Sequence, residues 1–279
     1  DGPDHGTRRL CRKRGGASRP VQPMMHIKRR SFLAGLAASV ASPSFAATAD
    51  SDLPLTEIIA RHTKARGGAA ALEALQSQAV DLEIVEKGAV VNAHYRCNKS
   101  PAYRIDIFDH GKHVFCEGLD AKGPWIWPGD QPAPRQGVPE GKISGLTGIQ
   151  FNVYGLHAFP SLGHKLSSDG RETLGSVNYY VVRVDLKDGY PTFLYLDPET
   201  WMIARRRDFR ANHPDMNPAK QHLETQFTDF RPVNGVMSAF LQHQVDLDSG
   251  KINQVIVVDR MAYNPKLDAK MFDRSYKTA

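Results

Sequence analysis

Histidines, two downstream cysteines and a run of arginines are the side chains of this chain that could do chemistry. Of eleven histidines, two pairs invite a metal reading. His110-Gly-Lys-His113 sits at a predicted hairpin turn, and His213-Pro-Asp215 sits in a predicted loop. Neither gathers the three or four ligands that a zinc-type centre requires, so no metal site is assigned. Ser161-Leu-Gly-His164 sets a hydroxyl near an imidazole in sequence but lacks the glycine pattern of a nucleophile elbow. There is no phosphate-binding Walker loop and no dinucleotide fingerprint. The reading is therefore non-catalytic, with no cofactor. An uncharacterised envelope hydrolase stays as a second alternative, which an activity screen addresses. In Arg205-Arg206-Arg207, strand alternation puts two guanidiniums on one face and one on the other. A headgroup or partner-protein contact suits such a run, but pairing with neighbouring strand carboxylates explains it more simply.

Cys97 and Cys116 each fall in a predicted strand, with a third strand, Ala102 to Phe108, between them. In a meander two strands that flank a third lie about 10 Å apart, beyond disulfide reach. Two free, half-buried thiols are expected.

The elements that must position these residues are mostly strands. Leu55, Ile58, Ile59 and His62 recur at helical spacing, Gly67-Gly68 ends that helix, and a short helix runs from Ala69 to Leu75. The period then switches to two. Val80, Leu82 and Ile84 alternate with Asp81 and Glu83, and residues 90–97, 103–107 and 112–118 continue between turn signals. Trp125-Ile126-Trp127 is a further strand, 128–141 a long loop, and 142–166 one or two helices lying across the sheet. A second meander follows, with strands at 180–186, 194–196, 203–209, 223–230, 236–247 and 251–262. Asp268 caps a short helix holding Met271 and Phe272. The fold class is mainly β with some helix (α+β). It is a strongly curved antiparallel sheet or half-barrel of about ten to eleven strands, with a few helices on its concave side.

The N-terminal part reads as a leader. Lys28-Arg29-Arg30 precedes the apolar run Ser31–Ala41, and Ser44-Phe45-Ala46 supplies small residues for cleavage after Ala46. The pair of arginines before Phe32-Leu33 resembles a twin-arginine signal, with Lys28 where that pattern has Ser or Thr; ordinary unfolded export stays open. Residues 1–23 are basic and nearly free of large apolar side chains, which points to a start codon placed too early and a true start at Met24 or Met25. The expected division is thus 1–23 upstream, 24–46 signal peptide and 47–279 one β domain. Of 36 basic and 30 acidic residues, nine and two fall in 1–46, which leaves 27 against 28 beyond it. The formal charge of +6 is a property of the leader, so a nucleic-acid partner is not expected. No later run is long and apolar enough for a membrane span, and the mature domain is expected in the periplasm.

The motifs then add up to a resemblance. They begin with Ile58-Ile59-Ala60-Arg61-His62, Ala65-Arg66-Gly67-Gly68 and Ala71–Leu75. Asp120–Trp125, Gly170-Arg171-Glu172, Leu186–Gly189 and Tyr195–Thr200 follow in order, then Asp229–Val236 and Tyr263–Asp268. Over residues 55–276 the chain resembles the outer-membrane lipoprotein-sorting protein family, relatives of the periplasmic lipoprotein carrier. The resemblance implies a half-barrel with an apolar cavity between sheet and helices. The function it implies is binding of a lipid or lipoprotein acyl chain, with inner- or outer-membrane proteins as further partners. The expected lining is Tyr103, Ile105, Trp125, Trp127, Tyr180 and Leu194, with Phe151, Tyr154 and Phe159 on a lid. An envelope-stress or protein-interaction module of the same fold is the alternative.

Overall fold

The computed structural model describes residues 52–277, so the expected leader and cleavage site lie outside the described residues. The first helix, α1 (Leu55–Ala65), buries Ile58 and His62 at the expected spacing. It stops where Gly67 and Gly68 take φ of +121° and +90°. A Cβ on Gly67 would overlap the carbonyl oxygen of Gly235, so glycine is required there twice over. A one-turn helix, α2 (Ala69–Glu73), follows.

The first meander comprises β1 (Ser77–Glu86), β2 (Ala89–Asn98), β3 (Ala102–Asp109), β4 (Lys112–Asp120), β5 (Gly123–Pro128) and the two-residue β6 (Arg135–Gln136). The chain then forms α3 (Pro139–Val153) and a 3-10 segment, Leu156–Leu162. The second meander is β7 (Lys165–Leu174), β8 (Val177–Asp185), β9 (Pro191–Leu196), β10 (Ile203–Ala211), β11 (Lys220–Val233), β12 (Val236–Asp246) and β13 (Lys251–Tyr263). The hairpin turns at Lys87-Gly88 and Asn234-Gly235 hold both central residues at positive φ, the geometry that two-residue hairpins favour. Asp268 caps the final 3-10 turn, Ala269–Phe272, by accepting from the Lys270 amide.

All strands join one open antiparallel sheet in the order β6-β5-β4-β3-β2-β1-β13-β12-β11-β10-β9-β8-β7. Thirteen strands replace the expected ten to eleven. The two additions, β6 and β7, are the sheet's edges. β6 has two residues, and β7 is polar, half exposed and interrupted by a bulge between Ser168 and Arg171. Edge strands protected by shortness, charge and bulging lack the apolar alternation that marks an inner strand.

The sheet packs two apolar clusters on one face. One joins Val80, Leu82, Ala93 and Tyr103 to Ile149 and Val153 of α3. The other joins Val182, Val184 and Leu194 to Ile58 and Phe159. Gly145 of α3 lies against the Tyr103 ring, where a Cβ would collide, so the helix rides close on β3.

Gly67→Ala is expected to lower unfolding stability by about 2 kcal/mol or more in urea titrations, through the overlap with Gly235. Gly235→Ala, at positive φ but in open space, is expected to cost about 1 kcal/mol.

Candidate functional site

Between the sheet and α3 lies a cavity of about 340 Å³. Its wall runs from Ile105 on β3 to Leu194 on β9, and Gly148, Phe151 and Asn152 of α3 form its roof. In a flat sheet those two strands would stand about 34 Å apart, at about 4.8 Å per strand interval. A single small cavity touching both requires the sheet to curl round it.

The strand register gives this cavity two unlike ends. Val80, Leu82 and Ile84 of β1 face inward beside Met261, Val258 and Ile256 of β13, and all six line the cavity. The next inward pair on the same register is Gln78 and Tyr263. Around that pair stand Ser238, whose hydroxyl is 2.9 Å from the Tyr263 hydroxyl, and Arg66 and His62 at the end of α1. His62 Nδ1 donates to the Trp201 carbonyl at 2.8 Å, which leaves Nε2 as an acceptor on a neutral ring. Burial, reinforced by Arg66, pushes the His62 pKa down to about 4. Elsewhere in the lining Arg206 pairs with Asp208 at 3.0 Å and stacks its guanidinium over Phe151.

Of the nine residues expected at the site, Ile105, Leu194, Phe151, Tyr154 and Phe159 line the cavity. Tyr103 and Tyr180 do not. Tyr103 is packed under Gly145, and Tyr180 is stacked on Trp201 at 5.2 Å, so both fill core beside the cavity. Trp125 and Trp127 are a correction. They pair with Gly118 and Cys116, which pair in turn with Arg104 and Asp106, and these alternate with the inward Tyr103 and Ile105. Both tryptophans therefore project from the outer face, and Ile126 takes the inward position. β5 is covered by α3 inside and, at Trp125, by the Arg104 guanidinium outside, which also packs on Tyr276, so its sequence shows no alternation from which the side could be read. Arg66, Gln78 and Tyr263 were absent from the expected set; one inward polar residue among many polar residues gives no sequence signal.

On the outer face the side chains of Asp106, His113 and Cys116 come together, with ligand atoms within 4.8 Å of one another. His113 thus meets Asp106 of β3 and Cys116 of its own strand β4, while His110 stays exposed at its turn. Arg104 grips both oxygens of Asp106, at 2.7 and 2.8 Å, and donates to the Met271 and Tyr276 carbonyls. A guanidinium on that carboxylate opposes a second cation, and the group acts as a clamp for the C-terminal segment. Cys97 and Cys116 are free, on opposite faces, and fully buried where half-burial was expected. Burial pushes both thiols up, Cys97 to about 11. The triple arginine divides as expected. Arg205 and Arg207 both reach Glu224 on one face, and Arg206 points to the other.

Beneath the start of α3, Glu117 lies near Asp215, which accepts from the Val138 amide at 2.8 Å. Burial first, and then the Asp215 charge, raise the Glu117 pKa to about 7.

Among solved structures the chain is similar to a LolA superfamily protein of Nitrosomonas europaea, at TM-score 0.53 and 11% identity, over 81% of this chain and 100% of that one. It is also similar to a putative outer membrane lipoprotein-sorting protein domain of Vibrio parahaemolyticus, at TM-score 0.52 and 11% identity, over 78% and 95%. The chain shares its fold with these two structures. No family model matches the chain, and no curated protein matches it. The likeness is one of fold; the chemistry of the cavity rests on this chain's own side chains.

Two titrations of opposite sign follow. The His62 contribution is present above pH 6.5 and is lost as pH falls from 6.5 to 4, since the unfolded ring protonates first. The loss is on the order of 3 kcal/mol. The Glu117 contribution is present below pH 4.5 and is lost as pH rises through 7. Relative to wild type, His62→Asn is expected to gain stability as pH falls over the first interval, and Glu117→Gln as pH rises over the second. Urea midpoints at several pH values measure both.

Proposed function

We propose that this protein is exported to the periplasm and there carries an acyl chain of a lipid or lipoprotein in the cavity under α3. The observation that carries the reading is the cavity itself, a hollow walled by inward side chains of β1 and β13 in a sheet otherwise packed with apolar clusters. Burying hydrocarbon is favourable by about 0.8 kcal/mol per CH₂, so a modest hollow holds a chain in water without any covalent step. The volume, about 340 Å³, falls at the small end of ligand pockets, which run from about 300 to about 1,000 Å³. It suits one chain in the closed form, and a larger anchor requires α3 to lift. The residues proposed to touch the chain are Ile105, Leu194, Phe151, Tyr154 and Phe159. Among the described residues no helix is long and apolar enough to cross a membrane. The leader at residues 24–46 supports the periplasmic assignment.

Gly148 offers a direct test, because it roofs the cavity and a Cβ there meets only the Tyr95 hydroxyl, at 3.8 Å. Gly148→Leu is expected to weaken binding of a fluorescent fatty acid at least about tenfold while leaving thermal stability unchanged or higher, since glycine inside a helix costs about 1 kcal/mol. Wild-type protein purified from the periplasm is expected to carry lipid mass in native mass spectrometry. A delipidated sample that takes up no fatty acid would sink the proposal.

A further inference from the structure

The polar end of the cavity contains a cation with no counter-charge. Arg66 lines the cavity, its Nε is sealed from solvent, and that atom has no hydrogen-bond partner. No carboxylate forms an ion pair with Arg66 among the described residues, and no Asp or Glu lines the cavity at all. Arg206, the other arginine in the lining, is paired with Asp208. His62 is neutral above its lowered pKa and adds an acceptor at most. Beside Arg66, Gln78 is buried to 3% exposure and its Oε1 also lacks a partner. The Tyr263 hydroxyl is a hydrogen-bond partner of the Arg66 side chain, but a neutral one. A guanidinium stays charged at any ordinary pH, and a buried charge without an opposite charge is costly. Lys64 and Arg61 stand on the same helix, but no acidic residue approaches from β1, β12 or β13, whose inward residues here are Gln78, Ser238 and Tyr263.

This cation stands at one end of a long apolar path. From Gln78 to Ile84 the inward residues of β1 extend over about 20 Å at the rise of a strand. After Gln78 they are Val80, Leu82 and Ile84, matched on β13 by Met261, Val258 and Ile256. The polar groups elsewhere in the lining are the neutral Tyr95, Asn152 and Gln242 and the paired Arg206. Arg66 is therefore the uncompensated charge beside an apolar run on β1 and β13, the mirror image of an acidic amphiphile.

We propose that the ligand is a single-chain amphiphile with an acidic head, a carboxylate or a phosphate monoester, and that Arg66 receives the head with Gln78 and Tyr263 beside it. The inference rests on the carrier reading and goes beyond it by naming the head. The guanidinium is a planar fork that binds carboxylate or phosphate with two parallel hydrogen bonds. The Gln78 amide rotates to offer either NH₂ or oxygen to the same group. The tail then lies along β1 and β13 beneath α3.

The test is displacement of a neutral pyrene-alkane from the delipidated protein by dodecanoate, dodecyl phosphate, dodecanol and dodecylamine. Acetate and inorganic phosphate serve as chainless controls. The two acidic amphiphiles are expected to displace at concentrations at least about tenfold below the alcohol, and the amine to be weaker still. Acetate and phosphate alone are expected not to compete. Arg66→Met is expected to bring acid and alcohol to the same affinity, and Arg66→Lys to keep part of the preference. Equal affinity of wild type for acid and alcohol overturns the acidic head and leaves carriage standing. Competition by acetate or phosphate without a chain overturns the amphiphile in favour of a free-anion site. No displacement by any chain overturns both this inference and the carrier reading. Should Arg66→Met not fold by circular dichroism, the acid-to-alcohol ratio on wild type decides alone.

Discussion

The pairing of β1 with β13 governs the rest of the molecule. The first and last strands of the described chain meet in the interior of the sheet, through nine paired positions from Gln78–Tyr263 to Glu86–Gln254. Both free edges must therefore come from the middle of the chain, at β6 and β7. The residues between those edges have to travel from one side of the sheet to the other. They cross its inner face because a connection over that face buries their apolar side chains, as Ile149, Val153 and Phe159 show. The covering helix is thus a consequence of strand order.

That crossing also limits how flat the sheet can be. The fifteen residues of α3 extend about 22 Å, the seven of the 3-10 segment about 14 Å, and the six remaining residues about 20 Å at full stretch. Laid end to end they fall just short of the width of a flat thirteen-stranded sheet, about 58 Å. Real connections turn, so the sheet must curl to bring its edges within reach. Curl leaves a hollow wherever inward side chains are too small to meet across it, and in the middle of this sheet they are Val, Leu, Ile and Met.

Much of this was legible in the residues. Alternation exposed the inner strands, turn signals separated those of the first meander, and Gly67-Gly68 marked the end of α1. Two kinds of information were not. Edge strands such as β7 are kept polar to avoid pairing, which removes the pattern that reveals a strand. The side taken by Trp125 and Trp127 depends on register with β4 and on what covers the outer face, and a strand buried on both faces carries neither. The cavity's polar end was hidden for a related reason. Arg66 looks like any helix-terminal arginine until β12 and β13 are seen to surround it with Ser238 and Tyr263.

The carrier proposed above would have to release what it holds, and the sequence of α3 bears on that. Gly141, Gly145 and Gly148 stand within its fifteen residues, each weakening helix formation by about 1 kcal/mol relative to alanine. Gly145 is explained by the Tyr103 ring and Gly141 by the Asp215 carboxylate, but Gly148 has open space beside it. The N-terminal turn of α3 moreover rests near Glu117 and Asp215, two carboxyls that repel one another once both are charged. The element that closes the cavity is therefore the one with weak helix propensity and a strained electrostatic footing, while the strands beneath it are held by hydrogen-bonded ladders on both sides. Local opening concentrates in such elements. Lifting α3 exposes the roof residue Phe151 and frees the Arg206 guanidinium stacked on it, without breaking a strand pair. On the proposed carrier reading, uptake and release need only the roof to move, and the curled wall stays as built.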